Sequence, residues 1–98
     1  MNLKINPQVY EDLLEIKNYI AEDDAKEAEK VIDAILTDIG RLLDFPESGL
    51  KLSNKLRFHV KYRYILTYSY ATIYYISNED IRVITVIHTA RDFSALKF

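Results

Sequence analysis

The residues of this 98-residue chain that could do chemistry lie mostly in its second half. His59 and His88 are the two histidines, and by default the side chains that titrate near neutrality. Between Lys51 and Arg63 stand five basic residues and no acidic one: Lys51, Lys55, Arg57, Lys61 and Arg63. Six of the eight tyrosines fall within residues 62–75, interleaved with that run. Near the C-terminus stands HTARDFSAL, where His88 closes an alternating apolar run and Arg91-Asp92 follow. Arginine and lysine can hold phosphate, histidine can move a proton, and tyrosine can stack on a base. Each has a plainer reading too. Tyrosines are ordinary strand formers, and a histidine ending a strand is commonly a hydrogen-bonded structural one. In HTARDFSAL, Thr89 could cap a short helix, with Asp92 pairing a nearby cation for about 0–1 kcal/mol.

Several chemistries find no support. The chain has no cysteine, which removes thiol catalysis, Cys-ligated zinc and disulfides. Gly40 and Gly49 are isolated, so no glycine-rich phosphate loop exists, and neither a nucleophile elbow nor an HExxH helix occurs. The carboxylates Glu22, Asp23, Asp24 and Glu27 sit together, at a place that reads as a solvated helix–helix turn. No metal ligands and no cofactor are expected. No apolar run approaches membrane-spanning length and the N-terminus lacks an apolar export signal, so a cytoplasmic protein without membrane association is expected.

The elements that must position these residues follow from periodicity. Ninety-eight residues, 49% of them apolar, suit one domain over residues 1–98. Leu3-Lys4-Ile5 is a short strand candidate. Asn6-Pro7 then supplies an N-cap and a first-turn proline, with Glu11 and Asp12 complementing the helix dipole. Val9, Leu13, Ile16 and Ile20 form one stripe, flanked by Tyr10 and Leu14. Asp24 and Glu27 open a second helix, in which Ala28, Val31, Ile32, Ile35, Leu36, Ile39, Leu42 and Leu43 keep a 3.6-residue period until Phe45-Pro46. From Lys55 the period becomes two, and one continuous strand there would put Lys55, Arg57, His59, Lys61 and Arg63 on one face; a bend near Val60–Tyr62 would reset the phase. Turns at Tyr68-Ser69 and Ser77–Asp80 separate strands near 62–67, 70–76 and 81–88. The order β-α-α-β-β-β predicts an α+β domain, a twisted antiparallel sheet carrying an N-terminal helical hairpin.

Charge is divided between the halves. Residues 1–50 hold five Lys/Arg against twelve Asp/Glu, net −7, and residues 51–98 hold eight against three, net +5. The basic half points to a polyanionic or acidic partner, although attraction between the two halves would also account for it.

Four segments in order, INPQVYEDLLEIKNYIAED, LLDFPESG, YRYILTYSYATIYYI and VITVIHTARDFSAL, resemble the RelE/ParE superfamily of toxins from type II toxin–antitoxin modules, also known as plasmid stabilisation proteins. That resemblance implies a cognate antitoxin as partner, and a possible homodimer without it. It also implies one of two targets. ParE-like members act on DNA gyrase; RelE-like members cut mRNA on the ribosome. A nuclease would draw its catalytic groups from Arg63, His88 and Arg91. The nuclease branch usually has Arg after the tyrosine opening the YATIYYI strand, where this chain has Ala71, and a tyrosine in the tail, where it has Phe93, Leu96 and Phe98. With the acidic net charge of −2, these departures favour the ParE branch and a protein target. The expected target-contacting residues are Lys55, Arg57, Lys61, Arg63, Arg91 and Phe93. A third possibility is a non-toxic family member acting only as a binding protein.

Overall fold

Asn6 and Pro7 start the first helix as their residue types require. The Asn6 side chain accepts from the Gln8 N–H at 2.9 Å, and Pro7 takes the first helical position, where its missing N–H costs nothing. This helix, α1, spans Pro7–Ala21; α2 spans Ala25–Arg41. Asp24 caps α2 by accepting from the Lys26 and Glu27 N–H groups at 3.0 and 3.1 Å. The computed structural model describes residues 1–54 and 60–90, and the features below belong to them.

The strands are β1 (Asn2–Ile5), β2 (Leu50–Lys51), β3 (Arg63–Thr67), β4 (Tyr70–Ser77) and β5 (Asp80–His88). They form one sheet in the order β1-β5-β4-β3-β2. Two-residue loops at Tyr68-Ser69 and Asn78-Glu79 join the last three strands, with Tyr68 at φ 52° and Asn78 at φ 54°. The order β-α-α-β-β-β stands, with one correction to the expected antiparallel sheet. β1 runs parallel to β5, with Lys4 opposite Arg82, while the other pairings are antiparallel. Parallel partners need a long crossover, and here the helical hairpin and the β2–β4 segment supply it. A second difference concerns the expected strand from Lys55. Lys55 to His59 lie outside the described residues, and β3 begins only at Arg63, after the Leu52 N–H has bonded the Tyr62 carbonyl at 2.9 Å.

One face of the sheet carries the helices. There Val9, Leu13, Val31, Ile35, Ile39 and Leu42 pack on Tyr70, Tyr74, Ile81, Val83 and Val86. Leu36, expected in the apolar stripe of α2, flanks the buried line and is 43% exposed; Leu43, expected there too, falls beyond the helix end at Arg41 and is 45% exposed. The outer face holds a smaller cluster, Leu52, Tyr64, Ala71 and Ile73, with Val60, Tyr62, Ile84 and Ile87 around it.

Asp12 does something its position in the chain did not suggest. Ile73 pairs with Thr85 but Tyr74 pairs with Val83, so β5 inserts Ile84 as a bulge. The Asp12 carboxylate lies at that bulge. It accepts from the Thr85 hydroxyl, from the Val86 N–H at 3.0 Å and from the Gln8 amide at 2.9 Å. Its charge thus joins α1 to an interrupted ladder and is not spent on the helix dipole. Asp38 joins α2 to β3 in the same way, accepting from the Thr67 hydroxyl at 2.6 Å.

Tyr74, fully buried in β4, fixes the segment between α2 and β2. Its hydroxyl donates to the Pro46 carbonyl at 2.8 Å and accepts from the Gly49 N–H at 2.9 Å. Gly49 must be glycine, since a Cβ there would meet the Tyr74 hydroxyl oxygen at 2.5 Å and the Tyr64 carbonyl at 2.9 Å. Burial pushes the Tyr74 hydroxyl above its ordinary pKa of 10.0, opposed by the Gly49 N–H and the charge of Arg63. Tyr74→Phe leaves both backbone groups unpaired and is expected to cost about 1–3 kcal/mol in urea unfolding. In the wild type, the unfolded chain releases this proton first as pH rises past 10, so the contribution of Tyr74 is full below that pH and declines above it. Urea midpoints of wild type and Tyr74→Phe from pH 8 to 11 should converge; parallel curves would refute the assignment.

Candidate functional site

The sheet separates Lys61 from Arg63, both expected at the target contact, and Arg63 stands apart from His88, its expected partner in a nuclease. Lys61 lies on the outer side, its Nζ 4.1 Å from the centroid of the Tyr75 ring and 5.9 Å from that of Tyr62. Arg63 lies on the helix side, opposite Tyr74. One guanidinium nitrogen donates to the Gly49 carbonyl at 3.0 Å and the Glu47 carbonyl at 3.4 Å, so its charge braces the loop that Tyr74 also holds. His88 is at the far end of the helix side, opposite Tyr70. Its ring meets the Tyr70 ring edge to face at 5.2 Å, and its Nδ1 accepts from the Ala90 N–H at 3.1 Å. Arg63 pairs with Tyr74 and His88 with Tyr70, four residues apart along β4, which is roughly 13 Å. Arg63 and His88 therefore do not meet on one reacting group. Lys55, Arg57, Arg91 and Phe93 lie outside the described residues.

Elsewhere the surface offers apolar contact. Phe45, Leu50 and Leu66 are between 54% and 64% exposed, and they surround a trough of about 510 Å³ between the end of α2 and β3. Asp38 and Arg41, an ion pair at 3.4 Å, line the same trough. The backbone there is open as well. The Tyr62 carbonyl faces β2, and with a period of two so do Tyr64 and Leu66. β2 pairs only with Arg63 and Tyr64, which leaves Leu66 beyond the end of that pairing, at the sheet edge. Tyr10 and Leu14, one turn apart on α1, are each 60% exposed. At the β3–β4 tip the exposed Tyr68 has positive φ, uncommon for a bulky side chain, with the Lys30 ammonium 5.9 Å from its ring centroid. Residue-type reasoning missed Phe45, Leu50 and Leu66, because an apolar residue beside a strand or helix end reads as core until the edge is known.

The sequence matches the family described as the ParE toxin of the type II toxin–antitoxin system, parDE, over residues 3–93. The chain belongs to the ParE toxin family. The family thus takes in both helices and every strand. A solved structure of the chromosomal ParDE TA system from P. aeruginosa has the same fold, with a TM-score of 0.74 at 15% identity, covering 90% of this chain and 95% of that one. No curated protein matches the sequence. This ParE-type toxin has no helix, among the described residues, long and apolar enough to cross a membrane. Nor do its described residues gather three His, Asp or Glu side chains able to hold a metal ion.

Within this ParE fold Arg63 has a structural task, and that can be measured. Arg63→Ala is expected to lower stability by about 1 kcal/mol, the net worth of hydrogen bonds from a partly exposed charged group to carbonyls. Arg63→Lys should recover part of it. Urea midpoints of the three proteins test this, and an Arg63→Ala midpoint equal to wild type would show that the arginine braces nothing.

Proposed function

We propose that this chain is a ParE toxin that inhibits DNA gyrase and is neutralised by a cognate antitoxin. The family match over residues 3–93 carries the reading. Two features of the site support a protein target over RNA cleavage. Arg63 is engaged by the Glu47 and Gly49 carbonyls and stands apart from His88, so a phosphate clamp and a proton donor are not assembled from that pair. Ala71, where the nuclease branch carries arginine, is fully buried on the outer face between Leu66 and Ile87. A guanidinium in its place would need both space and a counter-charge.

The antitoxin reading rests on the exposed apolar groups. Phe45, Leu50 and Leu66, with Tyr10 and Leu14 on the hairpin, give a partner segment apolar pockets, and Leu66 gives it a strand edge. The wider Lys51–Arg63 run, including Lys55, Arg57 and Lys61, together with Arg91 and Phe93, is the proposed contact with gyrase. The fold operates in this reading as a rigid carrier, with no cofactor and no covalent step.

A supercoiling assay with purified gyrase and the full chain tests the target. Inhibition near stoichiometric toxin is expected, relieved by the antitoxin. Unaffected gyrase, together with mRNA cut within codons in a translation mixture, would establish the ribosome-dependent nuclease instead. Leu66→Glu separates the two surfaces: gyrase inhibition should persist, while the antitoxin concentration needed for relief should rise at least tenfold.

A further inference from the structure

The outer face of the sheet carries a second constellation, away from the trough at β3. Directly paired residues project from the same face, and the pairings of Lys4 with Arg82 and of Arg82 with Tyr75 set these three side by side across β1, β5 and β4. Tyr62 continues the row, its ring edge-to-face with Tyr75 at 5.4 Å, and Lys61 caps the Tyr75 ring. Lys4, Asn6, Tyr62, Tyr75, Arg82 and Ile84 border a cleft of about 430 Å³ at the point where β1 turns into α1.

The lining defines what would fit. Lys4, Arg82 and the rim residue Lys61 are cations, and the Tyr75 hydroxyl can donate. Asp80, 3.1 Å from Arg82, is the carboxylate of this group. Among the described residues no carboxylate lies within ion-pair distance of Lys4 or Lys61. Asn6 adds a polar side chain, engaged in capping α1, and the remaining walls are aromatic or aliphatic. A matching ligand is therefore an anion rich in acceptors, attached to a flat, weakly polar body. A phosphate satisfies a guanidinium and an ammonium at once, whereas one carboxylate side chain satisfies fewer donors. The volume lies at the small-molecule end of binding pockets, about 300–1,000 Å³. The described cations of this face gather at one end, unlike the extended track of charge that holds a strand of nucleic acid.

We propose that this cleft binds a mononucleotide, its phosphate on Lys4 and Arg82 and its base against Tyr62. The cleft is separate from the trough assigned to the antitoxin and shares Lys61 with the residues assigned to gyrase, and its occupancy does not require either partner.

Calorimetric titration of the full chain with AMP, ADP, adenosine, inorganic phosphate and a twelve-residue oligothymidylate tests this. AMP or ADP should bind one to one, with adenosine and inorganic phosphate each at least tenfold weaker. Lys4→Gln and Arg82→Gln should each weaken AMP at least tenfold, Tyr62→Ala several-fold, and Tyr62→Phe little. Backbone amide shifts on adding AMP should centre on Asn6, Tyr75 and Ile84, a readout on wild-type protein that does not depend on how the variants fold. No saturation by millimolar AMP or ADP overturns the proposal. So does phosphate binding as tightly as AMP, shifts centred elsewhere, or binding confined to the oligonucleotide, which would make the face a strand-binding surface.

Discussion

The hydroxyl of Tyr74 is the contact on which the arrangement of this molecule depends. It starts on the central strand, crosses the core between sheet and helices, and ends on two backbone groups of the 46–49 segment. That segment leaves α2 and enters β2, so its path decides where the sheet edge lies. Gly49 is required because the tyrosine occupies the space a Cβ would take. Arg63 then adds its bonds to the same segment from the adjacent strand. A buried polar group is costly unless satisfied, and here satisfying it determines a loop, a glycine and an arginine together.

The helices are tied to the sheet by carboxylates. Asp12 reaches the bulge of β5 and Asp38 reaches Thr67 of β3, each accepting from hydroxyl or amide donors. Neither tie uses a cation from the sheet. Among the described residues, no cation of the second half forms an ion pair with an acidic residue of the first. The two ion pairs among the described residues, Asp38–Arg41 and Asp80–Arg82, both form within one half.

Much of the fold was legible because local chemistry and tertiary packing agree. Asn6-Pro7 and Asp24 cap the helices as their types demand, and the hairpin turns fall at Tyr68-Ser69 and near Asn78. What escaped sequence reading depends on contacts distant in the chain. Asp12 looked like a dipole partner until β5, more than seventy residues later, placed a bulge beside it. The parallel pairing of β1 rests on where a four-residue strand docks, which its residue types do not encode. That Arg63 also braces the 47–49 segment was not legible, since its alternation with apolar residues says which face it shares and nothing about what covers that face. Lys4 and Arg82 lie 78 positions apart and meet only through that same parallel register.

Rigidity and exposure are distributed unevenly in consequence. The core between helices and sheet is closed, and its polar groups are bonded, with no buried side-chain polar atom left without a partner among the described residues. The edge beyond β2 is the opposite, leaving Leu50 and Leu66 in water along with part of a strand. Proteins ordinarily blunt such an edge with charge, proline or a bulge. Under the toxin reading the same edge would bury its apolar area against antitoxin, and binding to the folded state alone would raise stability by mass action. An apolar, incompletely paired edge is thus tolerable in proportion to the time it spends covered. Under that reading the free toxin and the complex would differ in solvent exposure, without requiring the core held by Tyr74 to change.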